Sequence, residues 1–121
     1  MGYYTSHSLE IYDSNLNDTI NEETKLLIIH DLRITLEDAH IGLDENGYTT
    51  YPVKWYDIEE EMCLFSLKYP DIIFEFHCIG DEYDDIYKLY FKDGRYQYSK
   101  CNFNYDEYDE NKLKEYKKSD E

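Results

Sequence analysis

Asp81, Glu82, Asp84 and Asp85 fall within five consecutive positions, a density of hard oxygen ligands that suits a divalent cation such as calcium. Their spacing matches no established calcium loop, and acidic turn chemistry is the better explanation. Asp44-Glu45-Asn46-Gly47 has part of a calcium-loop pattern, but the bidentate glutamate that must follow is missing, its place falling among apolar and aromatic residues near Trp55. Asp71 and Glu75 could hold a metal for phosphodiester hydrolysis, since paired carboxylates near a strand do this. His77 stands where a lysine is expected beside the second acid, however. A chain with 28 acidic and 12 basic residues, formally −16, also repels a nucleic-acid substrate. His7, His30, His40 and His77 are too scattered for a spacing-based metal site, and Cys63, Cys78 and Cys101 show no C-x-x-C pairing. No catalytic residue, metal ligand set or cofactor is assigned, and the balance leans against an enzyme.

The acids belong to a pattern that runs through the chain. Solvating acidic tails carry few aromatic residues, whereas this chain has 15 tyrosines and is 41% hydrophobic, which argues for a core beneath an anionic surface. Glu59, Glu60 and Glu61 stand at the expected start of a helix, where carboxylates complement the positive end of the dipole. Tyr87, Tyr90, Tyr96, Tyr98 and Tyr105 suit strand pairing. Beside carboxylates they also suit a protein-binding face, with rings supplying contact area and acids meeting a basic partner. The residues expected to form that face are Glu59, Glu60, Asp81, Glu82, Tyr83, Asp84, Asp85, Tyr96 and Tyr98.

Those residues must be positioned by regular elements. Tyr3 to Tyr12 alternates, placing Tyr3, Thr5, His7, Leu9 and Ile11 on one side of a half-buried strand. Thr19 and Glu22 have capping-box spacing and predict a helix. Its buried stripe is Leu26, Ile29, Leu32 or Arg33, and Leu36, widened by Leu27, Ile28 and Ile34. Pro52 makes the stretch from Tyr48 to Tyr56 an edge piece or a loop. Asp57 and Glu60 repeat the capping pattern before Ile58, Met62, Phe65 and Tyr69, and Pro70 ends that second helix. Ile72 to Ile79 reads as a strand with Phe74, Phe76 and Cys78 on one face. Two further strands, Ile86 to Phe91 and Arg95 to Phe103, flank a hairpin turn at Asp93-Gly94. The expected fold is α+β, an antiparallel sheet of four to five strands with two helices packed on one face, ending in a β-meander. The other face is expected to be tyrosine-rich. Residues 1–104 are expected to form a single domain and residues 105–121 a tail rich in acids, lysine and tyrosine.

The segments KWYDIEEEM (Lys54 to Met62), SLKYPDIIFEF (Ser66 to Phe76) and DIYKLYFKDGRYQ (Asp85 to Gln97) together resemble a family of small acidic proteins found in bacteria and their phages. In that family a Trp-Tyr pair precedes a Glu-rich helix, a Tyr-Pro break leads to a strand, and a Gly-containing acidic turn leads to a strand ending Phe-x-x-Gly. The match spans about residues 44–97, and the chain departs from it at the acidic turn, where it has only Gly80. The resemblance implies a shared fold and a mobile-element setting. It carries no activity and no site residues.

Taken together, these features predict a non-enzymatic acidic module that binds a basic, nucleic-acid-binding protein by presenting carboxylates in place of phosphates. In a phage or mobile element such a nucleic-acid mimic would inhibit a host defence or transcription protein. Direct binding of nucleic acid or membrane is not expected, and a homo-oligomer using the tyrosine face is a further option. The amino end lacks a basic region followed by an apolar run, so a cytoplasmic setting is expected. The alternative is a small-ligand or divalent-metal-binding domain, in its extreme form a hydrolase, built on Asp81 to Asp85 with His77 or Glu75.

Overall fold

A computed structural model of the chain describes residues 4–16, 20–82, 85–105 and 107–116. The fold is α+β. Strands β1 (Ser6–Asp13), β2 (Ile72–Ile79), β3 (Ile86–Lys92) and β4 (Arg95–Lys100) form one antiparallel sheet in that order. Helices α1 (Glu22–Thr35), α2 (Glu37–Gly42) and α3 (Ile58–Ser66) all lie between β1 and β2 in sequence, and they cover one face of the sheet. That face is set by period-two alternation: Leu9 and Ile11 of β1, Phe74, Phe76 and Cys78 of β2, and Leu89 and Phe91 of β3 are buried. Against them pack Ile28, Ile29 and Leu32 of α1, Ala39 of α2, and Ile58, Met62 and Phe65 of α3. Phe76 is the hub, with the rings of Trp55 at 5.7 Å and Phe91 at 5.9 Å in edge-on contact. Each of the fully buried phenylalanines contributes roughly 1.5–3 kcal/mol by its removal from water.

The helices begin and end for local reasons. Asn21, whose side chain accepts from the Thr24 N–H at 2.9 Å, caps α1. The expected cap, Thr19, lies outside the described residues, and Glu22 is the first helical residue. Leu36 adopts an extended backbone (φ −120°, ψ 121°), which breaks α1 and lets the chain restart as α2, a helix not expected from the sequence. The α1 stripe is narrower than its apolar residues predict: Leu27 is 67% exposed, Ile34 70%, and Leu26 is exposed as well. No layer of described residues covers them. Helix α3 buries Ile58, Met62 and Phe65 as expected, although Asp57 makes no side-chain cap. After Ser66 the chain tightens through three-residue turns, and Asp31 of α1 clasps this segment through the Tyr69 hydroxyl (2.6 Å) and the Lys68 ammonium (2.9 Å).

The β3–β4 hairpin turns on Asp93 (φ 49°) and Gly94 (φ 80°), the pair of positive angles that the Asp-Gly dipeptide predicts. The two edges of the sheet differ. Along β1, residues 47–53 act as a partial extra strand, with Thr5 and Val53 exchanging both backbone hydrogen bonds and the Leu9 N–H reaching the Gly47 carbonyl at 2.8 Å. Pro52 is thus in an edge piece, as expected. On β4, Cys101 donates to the Ile86 carbonyl, so by alternation the backbone groups of Tyr96, Tyr98 and Lys100 point away from β3. The face opposite the helices is not tyrosine-rich. Tyr90 and Tyr12 lie on it, but Tyr87 pairs with Cys78, Tyr98 with Leu89 and Tyr96 with Phe91, which places all three on the helix side. Tyr105 lies beyond the sheet.

Candidate functional site

The first turn of α3 organises the acidic surface. Ile58 points into the core, and the three glutamates that follow it leave the helix in different directions. Glu61 accepts the indole N–H of Trp55 at 2.7 Å and faces the start of α2. There Asp38 is held above its ordinary pKa, first by burial and then by the charges of Glu61, Glu37 and Asp57. Glu59 turns towards the sheet, where its charge acts on Cys63 and Cys78. Glu60 is exposed between them. Two helix starts therefore meet, and carboxylates that each suit their own helix dipole repel one another across the gap. No lysine or arginine pairs with any of these acids among the described residues; the ion pairs of Lys25, Lys68 and Lys88 go to Glu10, Asp31 and Glu75.

The rim continues to the β2–β3 turn. Asp85 acts on the Tyr87 hydroxyl, and the Asp81 carboxylate accepts the Tyr4 backbone N–H at 3.4 Å. Of the residues expected to form a binding face, Glu59, Glu60, Asp81, Glu82 and Asp85 thus lie around one end of the sheet. Tyr98 joins them, its ring 5.2 Å from that of Tyr87. Tyr96 does not: it sits against Phe91 towards the hairpin. Tyr83 and Asp84 lie outside the described residues. Asp38, Glu61 and Asp57 also belong to the rim; the sequence placed Glu61 and Asp57 only at a helix start and gave no sign of Asp38, because the α2–α3 approach that joins them is tertiary.

Behind the rim is a cavity of about 260 Å³ lined by His7, Trp55, Tyr56, Tyr87, Glu59 and neighbouring residues. His7 is only 3% exposed, and its Nδ1 is buried with no hydrogen-bond partner among the described residues. Burial lowers its pKa from 6.5 to about 4, against the opposing effect of a hydrogen bond with the Thr5 backbone, so the ring is neutral at pH 7. The Tyr87 hydroxyl is engaged by Cys78 and Thr5, and burial pushes its pKa well above the usual phenol range. Burial likewise pushes the Cys78 thiol up to about 12, which keeps it protonated. The sequence did carry a signal for His7: it alternates with Leu9 and Ile11 on the side that is buried.

The opposite face of the sheet carries both signs, with Glu10 and Glu75 beside Lys88, Lys92 and Arg95. Glu75 there is surrounded by donors, the Tyr12 hydroxyl at 3.1 Å and the Lys88 ammonium at 3.3 Å. A cavity of about 460 Å³ over β3 and β4 is lined by Lys92, Arg95, Gln97, Ser99 and apolar neighbours, with no carboxylate among its lining residues. Asp71, Glu75 and His77 do not form a metal site, since Asp71 precedes β2 while Glu75 is tied to Tyr12 and Lys88. Among the described residues no group of three or more His, Cys, Asp or Glu is placed to hold a metal ion. Asp44 is occupied as a turn residue, its side chain accepting from the N–H groups of Asn46 and Tyr48. No family model, curated protein or solved structure matches the chain, and the functional reading is carried by this geometry.

Proposed function

We propose that the protein is a non-enzymatic binding module whose acidic rim docks a basic protein. The observation that carries this reading is the convergence of Glu61, Glu37, Asp57 and Asp38 where α2 and α3 begin, with no basic residue neutralising them among the described residues. Uncompensated like charges lower the stability of the free protein, and a cationic partner relieves that repulsion on binding. Tyr56 and Tyr98 supply exposed aromatic area beside the acids. Carboxylates spread along two helix starts and a turn stand in for a phosphate backbone, so the natural partner is a nucleic-acid-binding protein. In a phage or mobile element the outcome would be inhibition of a host defence or transcription factor.

The test is affinity capture from a host lysate at low and high salt, repeated with Glu59, Glu60 and Glu61 all changed to Gln. A control variant changes Glu107, Glu110 and Glu115 beyond β4 to Gln. Basic proteins retained at low salt, released at high salt and lost with the α3 variant alone support the reading. Capture that is indifferent to salt, or equal for both variants, overturns it.

A further inference from the structure

The cavity behind the rim has a composition unlike the rest of the surface. Four of its lining side chains are rings, those of His7, Trp55, Tyr56 and Tyr87, and Glu59 is its one carboxylate. No lysine or arginine lines it; the nearby Lys54 is held over the Tyr4 ring instead, 4.7 Å from its centroid. Aromatic faces together with one carboxylate attract an organic cation. At about 260 Å³ the space suits one amino-acid side chain and is small for a nucleotide or a large cofactor.

His7 forms a buried wall of the cavity, 3% exposed, with Nδ1 out of reach of a guest. Burial keeps its ring neutral at pH 7, so it adds no positive charge to repel a cation. Glu59 favours a cation that carries N–H groups, because a carboxylate binds these by charge-assisted hydrogen bonds. A quaternary ammonium has no N–H to give, whereas a primary ammonium or a guanidinium does.

We propose that this cavity receives a lysine or arginine side chain of the basic partner, which sets its charge against the rings and donates its N–H groups to Glu59. The inference rests on the docking function proposed above and names the anchor that the rim guides into place. Tyr56, 66% exposed at the cavity, contributes a ring whose removal leaves the core intact.

The test is an NMR titration of the full chain with N-acetyl-lysine-methylamide and N-acetyl-arginine-methylamide, following the His7 ring and Trp55 indole signals. Tetramethylammonium and N-acetyl-norleucine-methylamide serve as comparisons at matched ionic strength. We expect saturable shifts with the lysine or the arginine probe, the tighter of the two identifying the side chain. Tyr56→Ala should weaken that binding about threefold, the loss of one exposed cation–π contact. Glu59→Gln should weaken it about tenfold and narrow its margin over tetramethylammonium. Binding of norleucine or tetramethylammonium as tight as that of the lysine and arginine probes overturns the inference, as does the absence of His7 and Trp55 shifts. If the probes fail to enter while capture still depends on the α3 glutamates, this inference falls and the docking function stands. If the probes bind at His7 but capture ignores the rim, the docking function falls and the cavity remains a cation site.

Discussion

At the scale of single residues, His7 and Asp38 show how the site strains the free protein. Burial lowers the His7 pKa from 6.5 to about 4. Between those values the unfolded chain binds a proton that the native state refuses, so stability falls as pH drops from about 6.5 to about 4 and levels off below. The full loss is on the order of 3 kcal/mol. His7→Phe removes both that titration and the unpartnered Nδ1. Urea denaturation should therefore find the variant more stable by about 1 kcal/mol at pH 7, with a shallower loss on acidification; an unchanged pH slope would contradict the assignment. Asp38 has the opposite sign. Its pKa is raised by burial and by Glu61, Glu37 and Asp57, so its contribution to stability declines as pH rises through the carboxyl range. Asp38→Asn should raise stability at neutral pH by about 0.5 kcal/mol and at the same time reduce salt-sensitive capture of a basic partner. Local sequence hid Asp38, whereas His7 was legible from alternation and only its orphaned nitrogen was not.

At the scale of elements, legibility followed how local each signal is. Helix α3, strand β2 and the Asp93-Gly94 hairpin could be read directly, because hydrophobic spacing and turn chemistry act within a few residues. The α1 stripe was overread. Leu27 and Ile34 are apolar, but burial depends on what packs against them, and Ile28, Ile29 and Leu32 already fill the contact with the sheet. Ser66 was missed for the same reason. Its hydroxyl donates to the Cys63 carbonyl at 2.8 Å and accepts the Gly94 N–H at 2.8 Å, tying the end of α3 to the hairpin. Ser66→Ala should lower stability by about 1–3 kcal/mol, seen as a lower urea midpoint; an effect below about 0.5 kcal/mol would show that the tether is dispensable. Two glycines can be ranked. A Cβ at Gly47 (φ 88°) would lie 3.0 Å from the Leu9 carbonyl oxygen and 3.1 Å from Ile29, whereas one at Gly94 (φ 80°) would meet only the flexible tip of Leu67 at 2.9 Å. Both alanine variants bear left-handed strain of about 1–2 kcal/mol, but the backbone carbonyl cannot move aside as Leu67 can. Gly47→Ala should be the more destabilising of the two by thermal or urea melting.

For the whole molecule, part of the formal charge of −16 is concentrated where α2 and α3 begin, around Asp38, Glu37, Asp57 and Glu61. The open face of β3 and β4 presents Lys92 and Arg95 at a cavity that no carboxylate lines. Composition made the charge legible, but its concentration at the helix starts depends on the approach of α2 to α3, which local sequence did not provide. Among the described residues no strand pairs with the outer edge of β4, which bears on colloidal behaviour. Outward backbone groups at Tyr96, Tyr98 and Lys100, flanked by exposed tyrosine rings, are a template for strand pairing between copies. At a formal charge of −16, mutual repulsion between copies opposes that pairing at neutral pH. Near pH 4.4, where the net charge vanishes, light scattering should detect self-assembly, and Tyr98→Lys should suppress it by placing a charge on the edge. Persistence of monomers at that pH would refute the idea. The carboxylates proposed to recruit a partner would then also act as an electrostatic chaperone against amyloid-like stacking, and sequences that drift towards neutrality would lose solubility before they lost their fold.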